Sequence, residues 1–79
     1  MQTIFVQVKC QLGLSYRVAE ELADIDGVSE VYSVSGLYDL LAKCYLLDDD
    51  DVGRFVNHRI QSVAGIRDTQ TIITFNAFS

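Results

Sequence analysis

The chain is 79 residues long and 49 % apolar, with 11 acidic and 6 basic side chains and a net charge of −5. That length holds a single domain, residues 1–79, and that apolar share excludes a disordered chain. Its cations, Lys9, Arg17, Lys43, Arg54, Arg59 and Arg67, are scattered, which excludes a surface built to neutralise nucleic-acid phosphates. A domain this small buries only about 60 % of its unfolded surface and usually needs a staple. Cys10 and Cys44 form no Cys-x-x-Cys pair and, with His58 the sole histidine, are too few for structural zinc. They read as small buried hydrophobes in a reduced cytoplasm, which leaves oligomerisation as the staple. Met1 to Lys9 has no basic run followed by an apolar block, and no apolar stretch approaches the roughly 20 residues that span a bilayer. The expectation is a cytoplasmic protein without membrane segment, metal or cofactor.

In chain order, Ile4, Val6 and Val8 recur at period two and predict a first strand over 2–9. After Gly13, Ser15 offers an N-cap hydroxyl, and Val18, Leu22 and Ile25 fall at i, i+4, i+7 of an amphipathic helix ended by Asp26-Gly27. Val28 to Ser35 reads as the second strand, Gly36-Leu37 as a turn, and Tyr38 to Leu47 as the third strand of an antiparallel hairpin. The acidic run Asp48 to Asp51 precedes a second helix carrying Val52, Phe55, Val56, Ile60 and Val63, closed by Gly65. Ile66 to Phe78 is the fourth strand.

The order is therefore βαββαβ, an α+β ferredoxin-like fold with a four-stranded antiparallel sheet and two helices on one face. An internal echo supports it: Ile25-Asp26-Gly27-Val28 aligns with Val63-Ala64-Gly65-Ile66, and the same offset lays Val18 on Val56 and Leu22 on Ile60. Right-handed crossovers place the first and third strands side by side in the middle. The third strand is apolar on both sides, with Leu40, Ala42, Cys44 and Leu46 opposite Leu41, Tyr45 and Leu47. The fourth sets Ile72 and Phe78 opposite Ile73 and Phe75. A sheet with one wet face alternates more cleanly. A second copy packed sheet against sheet is the expected cover.

Gly36-Leu37-Tyr38-Asp39 opening the third strand, Gly65-Ile66 after the second helix, and Thr69-Gln70-Thr71 in the last strand form an ordered set of motifs. In that order and spacing, from about Thr3 to Phe75, the chain resembles the effector-binding module of the Lrp/AsnC (leucine-responsive and asparagine-responsive) regulators. The resemblance implies a dimeric αβ sandwich or barrel, with four dimers joining as an octamer. It also implies a small effector, commonly an amino acid, held where dimers meet. Carried over by motif, the candidate ligand-binding residues are Gly36, Tyr38, Asp39, Thr69 and Thr71. The helix-turn-helix usual in the family is missing from these residues, so the module resembles the stand-alone forms, and full-length Lrp/AsnC regulators become expected partners.

Each candidate has two readings. Asp39 either pairs with a ligand ammonium or accepts turn N–H groups. Gly36 either lets the backbone approach a carboxylate or serves turn geometry. Tyr38 walls a pocket or packs a hairpin, and Thr69 and Thr71 either donate hydroxyls or are plain strand formers. The four aspartates lack the spacing of a calcium loop and read as helix capping and solvation. His58 reads as a surface residue, with a pH-sensitive subunit contact as the rival. No catalytic constellation or phosphate loop is present, so no enzyme is expected. The competing readings are a dimeric αβ-barrel enzyme of monooxygenase type and an ACT-type amino-acid sensor.

Overall fold

A computed structural model describes all of residues 1–79. The elements are β1 (Gln2–Cys10), α1 (Ser15–Ala23), β2 (Val28–Ser33), β3 (Leu40–Leu46), α2 (Val52–Phe55) continuing into a π-helical turn (Val56–Ile60), and β4 (Ile66–Ile73). The sheet is antiparallel throughout, in the order β2-β3-β1-β4, with β1 and β3 central as expected. This is the ferredoxin-like arrangement.

Strand alternation sends the even-numbered residues of β1 and β3 to one face. Ile4, Val6, Val8 and Cys10 meet Leu40, Ala42, Cys44 and Leu46 there, under Val18 and Leu22 of α1 and Val56 and Ile60 of the second helix. These 12 residues are the whole buried core, and no polar side chain is among them. At roughly 1.5–3 kcal/mol for a fully buried aliphatic side chain, this one layer is the chain's main source of stability.

The two halves lock each other through their helix-terminating glycines. Gly27 and Gly65 both have φ +99°, a conformation L side chains rarely adopt. A Cβ on Gly27 would lie 3.2 Å from Phe55 of α2, and one on Gly65 would lie 3.1 Å from Val18 of α1. The Gly27 carbonyl accepts from Tyr45 N–H and the Gly65 carbonyl from Gln11 N–H, both at 2.8 Å. The sequence echo is thus a reciprocal contact in space.

Four local expectations are corrected. Ser15 is not the N-cap: Leu14 takes that position without a side-chain cap, and Ser15 begins the helix. Leu14 packs on Gly65, so apolar burial outweighs capping there. The second helix is not α-helical throughout, because Gln61 N–H bonds to the Val56 carbonyl at 2.8 Å, an i+5 closure. The third strand starts at Leu40, not Tyr38. The fourth ends at Ile73, since its partner β1 starts at Gln2 and Ile4 already pairs with Ile73. Beyond it the Thr74 hydroxyl donates to the Thr3 carbonyl at 2.6 Å, and Phe75 and Phe78 stand 94 % and 97 % exposed.

Candidate functional site

The turn between β2 and β3 holds three of the five candidates. Gly36 has φ +109° and nothing within 4 Å of a would-be Cβ, so backbone conformation alone accounts for a glycine there. Asp39 anchors the turn to β1 twice. Its N–H donates to the Val8 carbonyl at 2.9 Å, and its Oδ2 accepts from Cys10 N–H at 2.8 Å. The Asp39 carbonyl also takes Val34 N–H at 2.9 Å, closing the hairpin. Lys9 Nζ reaches the Leu37 carbonyl at 3.3 Å. The Asp39 carboxylate thus accepts a backbone N–H, but from β1 and not from its own turn. Tyr38 is half-buried, and Leu37 beside it is exposed.

Thr69 and Thr71 lie on the other side of β1, opposite Val8 and Val6, so both share the helix-side face of the sheet. Leu40, one residue past Asp39, also pairs with Val8. Asp39 and Thr69 therefore flank the same end of β1 from its two neighbours, about 10 Å apart at two inter-strand spacings. Thr71 sits one pleat further in. The Thr69 hydroxyl oxygen accepts from Gln61 Nε2 at 2.7 Å, tying β4 to the end of the second helix. Next to Thr69, β4 carries a bulge: Lys9 pairs with Asp68 and Cys10 with Ile66, leaving Arg67 unpaired. Sequence periodicity gave no sign of that bulge.

The electrostatics of this end are mild. Burial, and secondarily the Asp39 charge, push the Cys10 thiol up, with Lys9 pulling the other way. Cys44, in the core, is pushed up by burial to about 11. Both thiols stay protonated and unreactive near neutrality, as buried hydrophobes do.

The face away from the helices carries Phe5, Leu41, Tyr45, Tyr32 and Ile72, with Lys43 at their centre. Lys43 Nζ stands 3.8 Å from Glu30 and 5.2 Å above the Tyr45 ring. The Tyr32 hydroxyl donates to Glu30, and that contact holds the Tyr32 phenol above its ordinary range. Tyr45 is 39 %, Ile72 43 % and Tyr32 51 % exposed. A recess of about 650 Å³ lies between this face and residues 73–79, bordered by Phe5, Lys43, Tyr45 and Phe75. Gly36, Tyr38, Asp39 and Thr71 border none of the chain's recesses, and Thr69 borders one of about 250 Å³ with Gln61 and Arg67. No helix is long and apolar enough to cross a membrane.

Fold and motif order define an α+β module of ferredoxin-like type. The family model for the Lrp/AsnC ligand binding domain matches residues 3–79, and the chain belongs to that family. An uncharacterized HTH-type transcriptional regulator of Pyrococcus abyssi is 35 % identical over 74 residues, 92 % of this chain and 49 % of that protein. One from Pyrococcus horikoshii is 36 % identical over 73 residues, 91 % of this chain and 49 % of that one. The chain therefore spans about half the length of the curated relatives it matches. Among solved structures, a Thermus thermophilus protein superposes with a TM-score of 0.92 at 34 % identity, covering 100 % of this chain and 99 % of that one. E. coli AsnC superposes at 0.90 with 20 % identity, covering 99 % of this chain and 53 % of that one, a likeness of fold.

Proposed function

We propose that this chain is a stand-alone effector-sensing and oligomerisation module that modulates transcription regulators of its own family. The observation that carries the reading is the uncovered second face of the sheet. Phe5, Leu41, Tyr45 and Ile72 form an apolar strip that one copy cannot bury, on a chain too small to leave it wet without cost. A second copy laid sheet to sheet covers it, and four such dimers form the octamer.

The effector is an amino acid or a similar small metabolite, held between subunits by Gly36, Tyr38, Asp39, Thr69 and Thr71. Small-molecule sites bury most of their ligand. The turn-bearing end of one copy offers no such enclosure, so a second copy completes it. A Neisseria meningitidis regulator that shares this fold, with a TM-score of 0.84 at 18 % identity, was solved as its L-Met complex. Ligand acts by binding one assembly better than another, which shifts the population between them. The enzyme reading has less support: in αβ-barrel enzymes the substrate lies between sheet and helices, and here that space is filled by the core.

Molar mass by light scattering, with and without each common amino acid, tests this. A multiple of 8.8 kDa that changes with one amino acid supports the reading. A monomer under all conditions overturns the assembly, and an assembly indifferent to every amino acid overturns the effector class. Co-expression with a full-length Lrp/AsnC regulator tests the mixed partnership, which fails if no mixed particles form.

A further inference from the structure

Val28 and Val31 lie an odd number of positions apart in β2, a spacing that in a regular strand sends side chains to opposite faces. Both nevertheless pack against the core. The register gives the reason: Val28 pairs with Cys44 but Glu30 with Lys43, so Ser29 is an extra residue in β2. Without that bulge, the pairing of Val28 with Cys44 would carry Glu30 opposite Ala42, on the core face. The bulge instead turns Glu30 and Tyr32 to the uncovered face, opposite Lys43 and Leu41.

The charges so placed are organised. The Tyr32 hydroxyl donates to Glu30 Oε1, while Lys43 Nζ stands 3.8 Å from Glu30 Oε2, beyond hydrogen-bond distance. The Lys43 side chain is 30 % and that of Glu30 42 % exposed. In register, one row across the sheet reads Glu30, Lys43, Phe5, Ile72, so the cation lies next to the apolar strip and not at its margin. Lys9 and Asp68 pair in register at the end of β1, away from this row. A second copy that covers the strip takes Lys43 out of water with it, and a buried charge is costly unless it is paired and hydrogen-bonded. In a twofold contact the same patch meets itself, so residue i meets j and j meets i. A cation and an anion on neighbouring strands are self-complementary under that operation.

We propose that Lys43 and Glu30 select the partner and the register of the sheet-to-sheet contact, Lys43 of each copy pairing with Glu30 of the other. The inference rests on the assembly proposed above and goes beyond it in naming the residues that choose between faces. A register that sets Lys43 on Lys43 brings like charges together in a water-poor interface and is rejected. A face with apolar residues at both positions leaves Lys43 and Glu30 of this chain without partners across the contact. The surface therefore fits a second copy of this chain better than such a face.

Light scattering over a dilution series compares the native chain, Lys43→Glu, Glu30→Lys, the double variant, and an equimolar mixture of the two single variants. Each single variant sets like charges against each other and should dissociate about thirtyfold more readily or beyond. The double variant and the mixture restore opposite charges across the contact, and both should recover most of the native affinity. Both side chains lie outside the core, and far-ultraviolet circular dichroism checks that each variant keeps its fold. Lys43→Gln, which leaves Glu30 of the second copy unpaired without reversing a charge, should weaken assembly too. A mixture as weak as its components overturns the proposal, and a double variant that recovers beside it shows that the pair acts within one copy. Single variants or Lys43→Gln that assemble like the native chain overturn it as well, while leaving the sheet-to-sheet assembly standing. A native chain that stays monomeric overturns both, so the two failures are told apart.

Discussion

The Asp39 carboxylate accepts the Cys10 backbone N–H at 2.8 Å, so the turn between β2 and β3 is pinned to the last residue of β1. Cys10 lies where β1 leaves register with β4, and its amide takes a side-chain acceptor. Losing that acceptor at a part-buried amide costs about 1–3 kcal/mol. Asp39→Ala should lower the urea midpoint by that amount, and Asp39→Asn, which keeps an acceptor oxygen, should recover most of it. If Asp39→Ala leaves the midpoint unchanged, the pin does not hold the turn.

The glycines rank by what surrounds them. Gly36→Ala meets open space and pays only for its φ of +109°, about 1–2 kcal/mol. Gly27→Ala and Gly65→Ala add contacts at 3.2 and 3.1 Å with the opposite helix, so each should cost a further 1–3 kcal/mol or about that. Thermal unfolding of the three variants checks the order; equal losses would remove the reciprocal-locking account.

Stability should fall in alkali through Cys44. The unfolded chain releases this proton near 9.0, whereas burial holds it in the folded chain up to about 11. The folded state therefore binds more protons between those values, and the contribution is full below 9.0 and lost as pH rises toward about 11. Urea unfolding across that window should show a steeper decline for the native chain than for Cys44→Ala.

The uncovered sheet face predicts a variant that dissociates without unfolding. Leu41→Asp places a charge in the apolar strip, beside Gln7 and Tyr32 in register. It should lower the molar mass to that of one copy while leaving the far-ultraviolet circular dichroism unchanged, because Leu41 lies outside the buried core. An unchanged mass would move the interface elsewhere.

Element order, the central position of β1 and β3, and the even-numbered core were legible in the sequence. Each follows from local periodicity: Ile4, Val6 and Val8 must share a face, and Val18 with Leu22 must share a helix stripe. The family was legible too, because Gly36-Leu37-Tyr38-Asp39 and Thr69-Gln70-Thr71 are contiguous motifs at a fixed distance. Tertiary contact decided the rest. Leu14 displaced Ser15 from the cap because Gly65, 51 positions later, gave Leu14 a surface to pack on (65 − 14). β4 stopped at Ile73 because β1 had almost no residues left to pair with it. The partner of Asp39 lies 29 positions away. Periodicity reports which way a residue faces within its own element; what it meets there depends on register and packing between elements distant in the chain.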